Sequence, residues 1–210
     1  MFWISSNMTG FKTRSSQFIS VLMSLAGNLA SRKGMLIVNS AGNEGADDWK
    51  MIAFPGDADS VLTVGAIDPK SGIRTSYSSY GPSKDLSLKP NLTAIGDVFW
   101  YTGSGLKKLE GTSFSTPLVT GYAACVLQNQ PYLTPMNLID TIQKTASLYP
   151  YFDYSHGYGV PRATLYFDED TIKGNTPTIA LLKSPNYLVE GYYYFKYLSN
   201  KGTQVFYQII

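Results

Sequence analysis

Apolar residues in this chain recur in two rhythms, and each rhythm predicts a different kind of element. From Ser15 the positions Phe18, Val21, Leu22, Leu25, Ala26 and Leu29 fall at helical spacing. They predict an amphipathic helix that packs this face on a sheet and that Gly34 can end. Residues 35–38, Met-Leu-Ile-Val, are apolar without alternation, as in a parallel strand covered on both faces. A helix followed by such a strand implies a right-handed crossover. Residues 61–66 repeat the strand pattern, and residues 98–101 predict another short strand. The run 118–127 reads as a helix buried on nearly every face. Thr134 then caps a further helix, with Pro135 in its first position and Leu138, Ile139 and Ile142 on its buried face. Residues 1–14 have no clear period and read as a surface loop.

After about Asp170 the pattern changes to strands and turns, at 178–182, 189–197 and 204–210. A segment this short makes a poor independent core, so it reads as a β appendage. Tyr192, Tyr193 and Tyr194 form either a binding face or rings packed against the preceding domain. The 210 residues as a whole can bury one sizeable core and the start of a second unit.

Charge excludes some partners. A net charge of +2 with 15% charged residues contains no polybasic segment, so neither nucleic acid nor an anionic membrane is predicted. No apolar run reaches the roughly 18 residues that span a bilayer, and the first ten residues are not a signal peptide. Cys125 is the one cysteine; it has no internal disulfide partner and reads as a small buried hydrophobe.

Two polar stretches interrupt these patterns. Gly111-Thr112-Ser113-Phe114-Ser115-Thr116-Pro117 leads into the apolar helix, with Pro117 in the first turn, where a missing N–H costs nothing. Ser113 there could simply be an N-cap worth roughly 1 kcal/mol. Ser40-Ala41-Gly42-Asn43-Glu44-Gly45 leaves the first buried strand, and Asn43 beside a glycine could simply be a turn residue. Taken together, the stretches resemble the nucleophile and oxyanion motifs of the subtilisin-like serine proteases.

That resemblance, which covers roughly residues 15–165, implies a fold and a chemistry. The fold is α/β, a three-layer subtilisin-like domain with a mostly parallel sheet, incomplete at its N-terminal side (1–168), followed by a small β-rich appendage (169–210). Ser113 is the implied nucleophile and Asn43 the implied oxyanion donor. A serine hydroxyl needs a base to take its proton, and its attack places negative charge on the carbonyl oxygen. The Ser113 N–H, at a helix N-terminus, would stabilise that charge together with the Asn43 amide. Ser40, Ala41 and Gly42 would form one wall of the slot for the residue before the cut bond, and Phe54 and Pro55 another, with a cis Phe54–Pro55 peptide. Residues 75–82 and Lys89-Pro90-Asn91-Leu92 match further landmarks, with Ile95 in place of a usual proline. Phe114, Ser115 and Leu118 depart from the family's usual residues around the nucleophile and bear on pocket shape more than on reaction type.

The triad aspartate and histidine, which in this family precede the oxyanion asparagine, are not visible. The sequence holds one histidine, His156, which follows the nucleophile inside a domain-closing Tyr-Gly-x-Gly-like segment and reads as structural. The chain therefore reads as the C-terminal part of an enzyme whose upstream part is its expected partner, with a protein or peptide as substrate. Met1 would be an internal methionine, a misplaced start or the start of a broken gene. Without its base such a chain is expected to be inert, since triad losses cost on the order of a millionfold in turnover. The resemblance implies an extracellular or cell-envelope setting. It implies no cofactor beyond the structural calcium common in the family, for which no carboxylate cluster is visible. Two alternatives stay open: a non-catalytic relative that keeps the fold and a binding groove, and an envelope-associated module in which the β appendage does the work.

Overall fold

A computed structural model of the chain describes residues 2–4, 14–166, 179–182, 193–198 and 204–209. These fall into two compact units, Met1–Asp97 with Glu110–Pro161, and Val98–Leu109 with Arg162–Ile210.

The first unit is built on a four-stranded, wholly parallel sheet in the order β1-β2-β3-β4. Its strands are β1 (Phe2–Ile4), β2 (Ile37–Ser40), β3 (Val61–Ile67) and β4 (Leu92–Ile95). All seven residues of β3 are buried, so both of its faces are covered, as its mainly apolar, non-alternating sequence predicts. Two expectations shift. β2 begins two residues later than the apolar run and carries Asn39 and Ser40 into the sheet. The region read as a loop at 1–14 contains β1, which pairs Trp3 with Val38. Three residues are too few to display a period, and only the neighbouring strand defines them.

Helix α1 (Arg14–Arg32) precedes β2 as expected, but it does not pack on the expected face. Gly27 and Ser31 are buried, whereas Val21, Leu22, Leu25, Ala26 and Leu29 are exposed. Close approach explains the rotation. A Cβ at Gly27 would lie 2.9 Å from Val61 Cγ2, so only a glycine lets the helix sit this near β3. Ser24 Oγ donates to Asp57 Oδ1 at 2.6 Å, and Asn28 Oδ1 accepts from the Ser60 N–H at 3.0 Å, which holds that orientation.

Helix α2 (Thr112–Asn129) lies against β2, β3 and β4. It buries Thr112, Ser115, Thr116, Val119, Ala123 and Val126 and turns Leu118, Gly121 and Ala124 outward, so burial on nearly every face is not observed. Among the described residues nothing covers that outer side. Helix α3 (Pro135–Lys144) is as expected: Thr134 Oγ1 accepts from the Asn137 N–H, and Leu138, Ile139 and Ile142 are buried. The segment that closes the unit hydrogen-bonds to β4 through Gly159 O, 3.0 Å from the Thr93 N–H. Within that segment the Tyr158 ring meets Tyr149 at a tilt and Phe152 edge to face.

Lys89, next to β4, is buried. Its Nζ donates to Val61 O at 2.6 Å and to Asn91 Oδ1 at 3.1 Å, with Thr63 Oγ1 at 3.3 Å. Burial pulls its ammonium down to about 8.

The second unit contains the hairpin of β5 (Asp97–Tyr101) and β6 (Leu106–Glu110), closed by a Thr102 N–H to Gly105 O bond of 3.0 Å. It also holds the short helix α4 (Ala163–Tyr166) and an antiparallel sheet of β7 (Ile179–Leu182), β8 (Tyr193–Leu198) and β9 (Gln204–Ile209). Tyr193 and Tyr194 lie on β8. Tyr192, and with it the expected tyrosine face, lies outside the described residues. Among the described residues no helix is long and apolar enough to cross a membrane.

Candidate active site

Ser113 is the second residue of α2, half-buried, and it is not the cap: Gly111 occupies that position without a side-chain bond. The N-terminal turn is instead tied internally. Ser115 Oγ and Thr116 Oγ1 both donate to Thr112 O, at 2.8 and 2.7 Å. Gly111 is held from the other side, where its N–H donates to Gly96 O at 3.0 Å. The Tyr77 hydroxyl lies against Gly96 and donates to Asp97 Oδ1 at 2.8 Å, and burial pushes this phenol above its usual range. The helix start that carries Ser113 is therefore anchored to β4's exit.

Asn43 comes to the same place from the end of β2. Its Oδ1 accepts from the Thr112 N–H and lies within reach of the Thr112 hydroxyl, each at 2.9 Å. A backbone N–H can only donate, so the atom facing it must be the carboxamide oxygen. The amide nitrogen is thereby turned toward Gly111, where a Cβ would lie 3.5 Å from Nδ2. The Thr112 hydroxyl also accepts from the Gly42 N–H at 3.3 Å and approaches Gly42 O at 3.2 Å. Thr112 thus connects the two motifs across 70 residues, a role that sequence reading missed although the residue stood inside the motif.

The segments expected to form the slot also meet. Ala53 N–H donates to Ala41 O at 2.8 Å, and Phe54–Pro55 is cis. Ser40 and Ala41 are fully buried, while Phe54 is half-buried. Gly42 must be glycine. Its φ is 111°, and a Cβ there would collide with the Glu44 carboxylate and the Ser79 hydroxyl. Ser79 Oγ donates to Glu44 Oε2 at 3.0 Å, which keeps this buried carboxylate beside the glycine.

Comparison with known proteins gives this arrangement its context. Residues 4–159 match the sequence model of the Subtilase family. The chain belongs to the subtilase family. A thermostable alkaline protease of Halalkalibacterium halodurans is 35% identical over 128 residues, which are 61% of this chain and 33% of that protein. Subtilisin BL of Lederbergia lenta is 33% identical over 128 residues, 61% of this chain and 45% of the relative. This chain thus spans between a third and just under half of these curated relatives. Among solved structures, sphericase superposes with a TM-score of 0.57 at 28% identity, over 77% of this chain and 56% of its own. A lanthipeptide protease structure has a TM-score of 0.58 at 21% identity, over 76% and 59%, a likeness of fold alone.

Within this subtilase chain the His156 ring is hydrogen-bonded to Arg74 and Asp153. Its Nε2 accepts from the Arg74 N–H at 3.1 Å, so Nδ1 carries the proton and donates to Asp153 Oδ2 at 2.8 Å. Both ring nitrogens are committed to holding loops together.

Proposed function

We propose that this chain is the nucleophile-bearing part of a serine endopeptidase. Ser113 would attack the peptide carbonyl and form the acyl-enzyme. Asn43 Nδ2 and the Ser113 N–H would donate to the oxyanion, and a protein or peptide would lie along the slot between residues 40–42 and Phe54–Pro55. The observation that carries this reading is the double contact of Thr112 with Asn43 Oδ1, which aims the amide nitrogen at the helix start. Preorganised donors of this kind need no rearrangement as charge develops.

The base and its orienting carboxylate would come from polypeptide beyond these 210 residues, and the chain alone would be inert. Residues 1–168 would belong to the peptidase domain and 169–210 to an appended β unit. An extracellular or cell-envelope setting goes with this reading, and no cofactor is required for it.

A second reading is a non-catalytic relative, favoured by the commitment of the chain's one histidine to Asp153 and Arg74. Fluorophosphonate labelling of the natural protein separates the two. Label on Ser113 in a polypeptide larger than 23.1 kDa supports the peptidase. A folded, unlabelled protein of about that mass supports the non-catalytic relative.

A further inference from the structure

Residues 77–79 run beside the loop that carries Asn43 and hydrogen-bond to it at three points. The Ser79 N–H donates to Gly42 O at 3.0 Å, the Glu44 N–H donates to Ser79 Oγ at 3.2 Å, and the Gly45 N–H donates to Tyr77 O at 2.8 Å. Ser79 thus grips the residue on each side of Asn43, one through its backbone and one through its hydroxyl. The hydroxyl's own proton goes to Glu44 Oε2 at 3.0 Å, and both side chains are buried. The gripping strip is itself fixed. Ser78 Oγ accepts from the Ala66 N–H of β3 at 3.0 Å, and the Arg74 guanidinium donates to Thr75 O at 3.0 Å and Ser78 O at 2.5 Å.

We infer that Ser79 is a positioning residue for the proposed oxyanion hole: its N–H and hydroxyl fix the backbone on both sides of Asn43, so that Nδ2 stays aimed at the helix start. The inference rests on the peptidase reading above. The grip matters because the loop begins at Gly42, whose φ of 111° is a glycine conformation, and glycine has the most backbone freedom to lose on ordering. Thr112 holds the Asn43 carboxamide and the Gly42 N–H, on one side of the loop. The Ser79 hydroxyl holds the Glu44 N–H on the other. A preorganised donor stabilises developing charge only while it keeps its place, and small displacements in such a site lower the rate steeply.

A double-mutant cycle with Asn43, read by steady-state kinetics on the complete protein made in its natural host, tests this. Ser79→Ala should lower kcat about tenfold with little change in KM, short of the roughly 10²–10³ lost with the donor itself. In an Asn43→Ala background the same substitution should change kcat by less than about twofold, because the amide that Ser79 positions is already gone. Equal losses in the two backgrounds overturn the inference, since Ser79 then acts by packing alone. Rates are compared below the thermal midpoint of the least stable variant. If Ser79→Ala does not fold, Ser79→Cys takes its place in the cycle, with nearly the same shape, a weaker donor and acceptor, and the same pattern expected at smaller size. Fluorophosphonate labelling of the parent separates the two readings. Equal losses in a parent labelled on Ser113 remove the positioning role alone, whereas a parent without that label removes the peptidase reading and the positioning role together.

Discussion

Thr112 holds Asn43 by its carboxamide oxygen, with the backbone N–H and the hydroxyl both 2.9 Å from Oδ1. The two residues come from opposite ends of the motif pair, one leaving a strand and one opening a helix. The oxygen's engagement leaves the amide nitrogen as the edge presented at the helix start. Catalytic competence, on the proposed reading, is thus set by a residue that need not touch substrate.

Removing the Thr112 hydroxyl should separate orientation from packing. Thr112→Val keeps the shape and the backbone N–H, so the complete protease is expected to lose about 1 kcal/mol of transition-state stabilisation, or about fivefold in kcat. KM should barely move, and Thr112→Ser should restore the rate. Steady-state kinetics on a peptide substrate would check this. An equal change in kcat and KM for all variants would point to a general packing role instead.

Deleting the donor itself is the harsher change. Members of this family lose about 10²–10³ in kcat when the oxyanion amide is removed, and the same loss is expected for Asn43→Ala in the complete protease. Its thermal midpoint should also fall, because the substitution strands the buried Thr112 N–H at a cost of about 1–3 kcal/mol, so kcat is read where the variant stays folded.

His156→Ala should act on stability and leave the chemistry alone. The substitution strands the Arg74 N–H and removes one donor from Asp153, which keeps the N–H groups of residues 155 and 156, at a cost of about 1–3 kcal/mol. Denaturant unfolding measures that loss. Ser113 labelling in the complete protease should persist under conditions where the variant stays folded; abolished labelling would make His156 the base.

Lys89 gives the chain an alkaline signature. Its ammonium titrates at about 8 in the folded state against 10.5 unfolded. Between those values the unfolded chain binds more protons, so stability rises with pH, by about 3 kcal/mol from this residue. Below pH 8 the full cost of the buried charge is present. Above about pH 10 Tyr77 acts in the opposite direction, because its raised pKa keeps the folded state protonated longer. Unfolding free energies between pH 7 and 10 should climb in the parent chain and stay flatter in Lys89→Met.

Much of this was legible in the residues. The motif at 111–117, the motif at 40–45 and the non-alternating apolar stretches at 35–38 and 61–66 carried the family and the parallel sheet, because short-range patterns encode strands buried on both faces and helix starts. The Thr134-Pro135 cap was equally local. What failed was whatever depended on a neighbour. The face α1 buries was not its most apolar one, since Gly27 permits a close approach to Val61 that a leucine would block. The strand at 2–4 exists only through its pairing with β2.

The sequence by itself determined which chemistry is on offer: a serine at a helix start, an asparagine after a strand, and a lone histidine. Tertiary structure alone decided that Thr112 aims Asn43, that His156 is committed to Asp153 and Arg74, and that Lys89 is buried among carbonyl and amide oxygens. Each of these includes a bond between distant residues: Thr112 and Asn43 are 69 positions apart, His156 and Arg74 82, and Lys89 and Val61 28. The energies that set them, hydrogen bonds closed on desolvation, exist only once the sheet has brought those segments together.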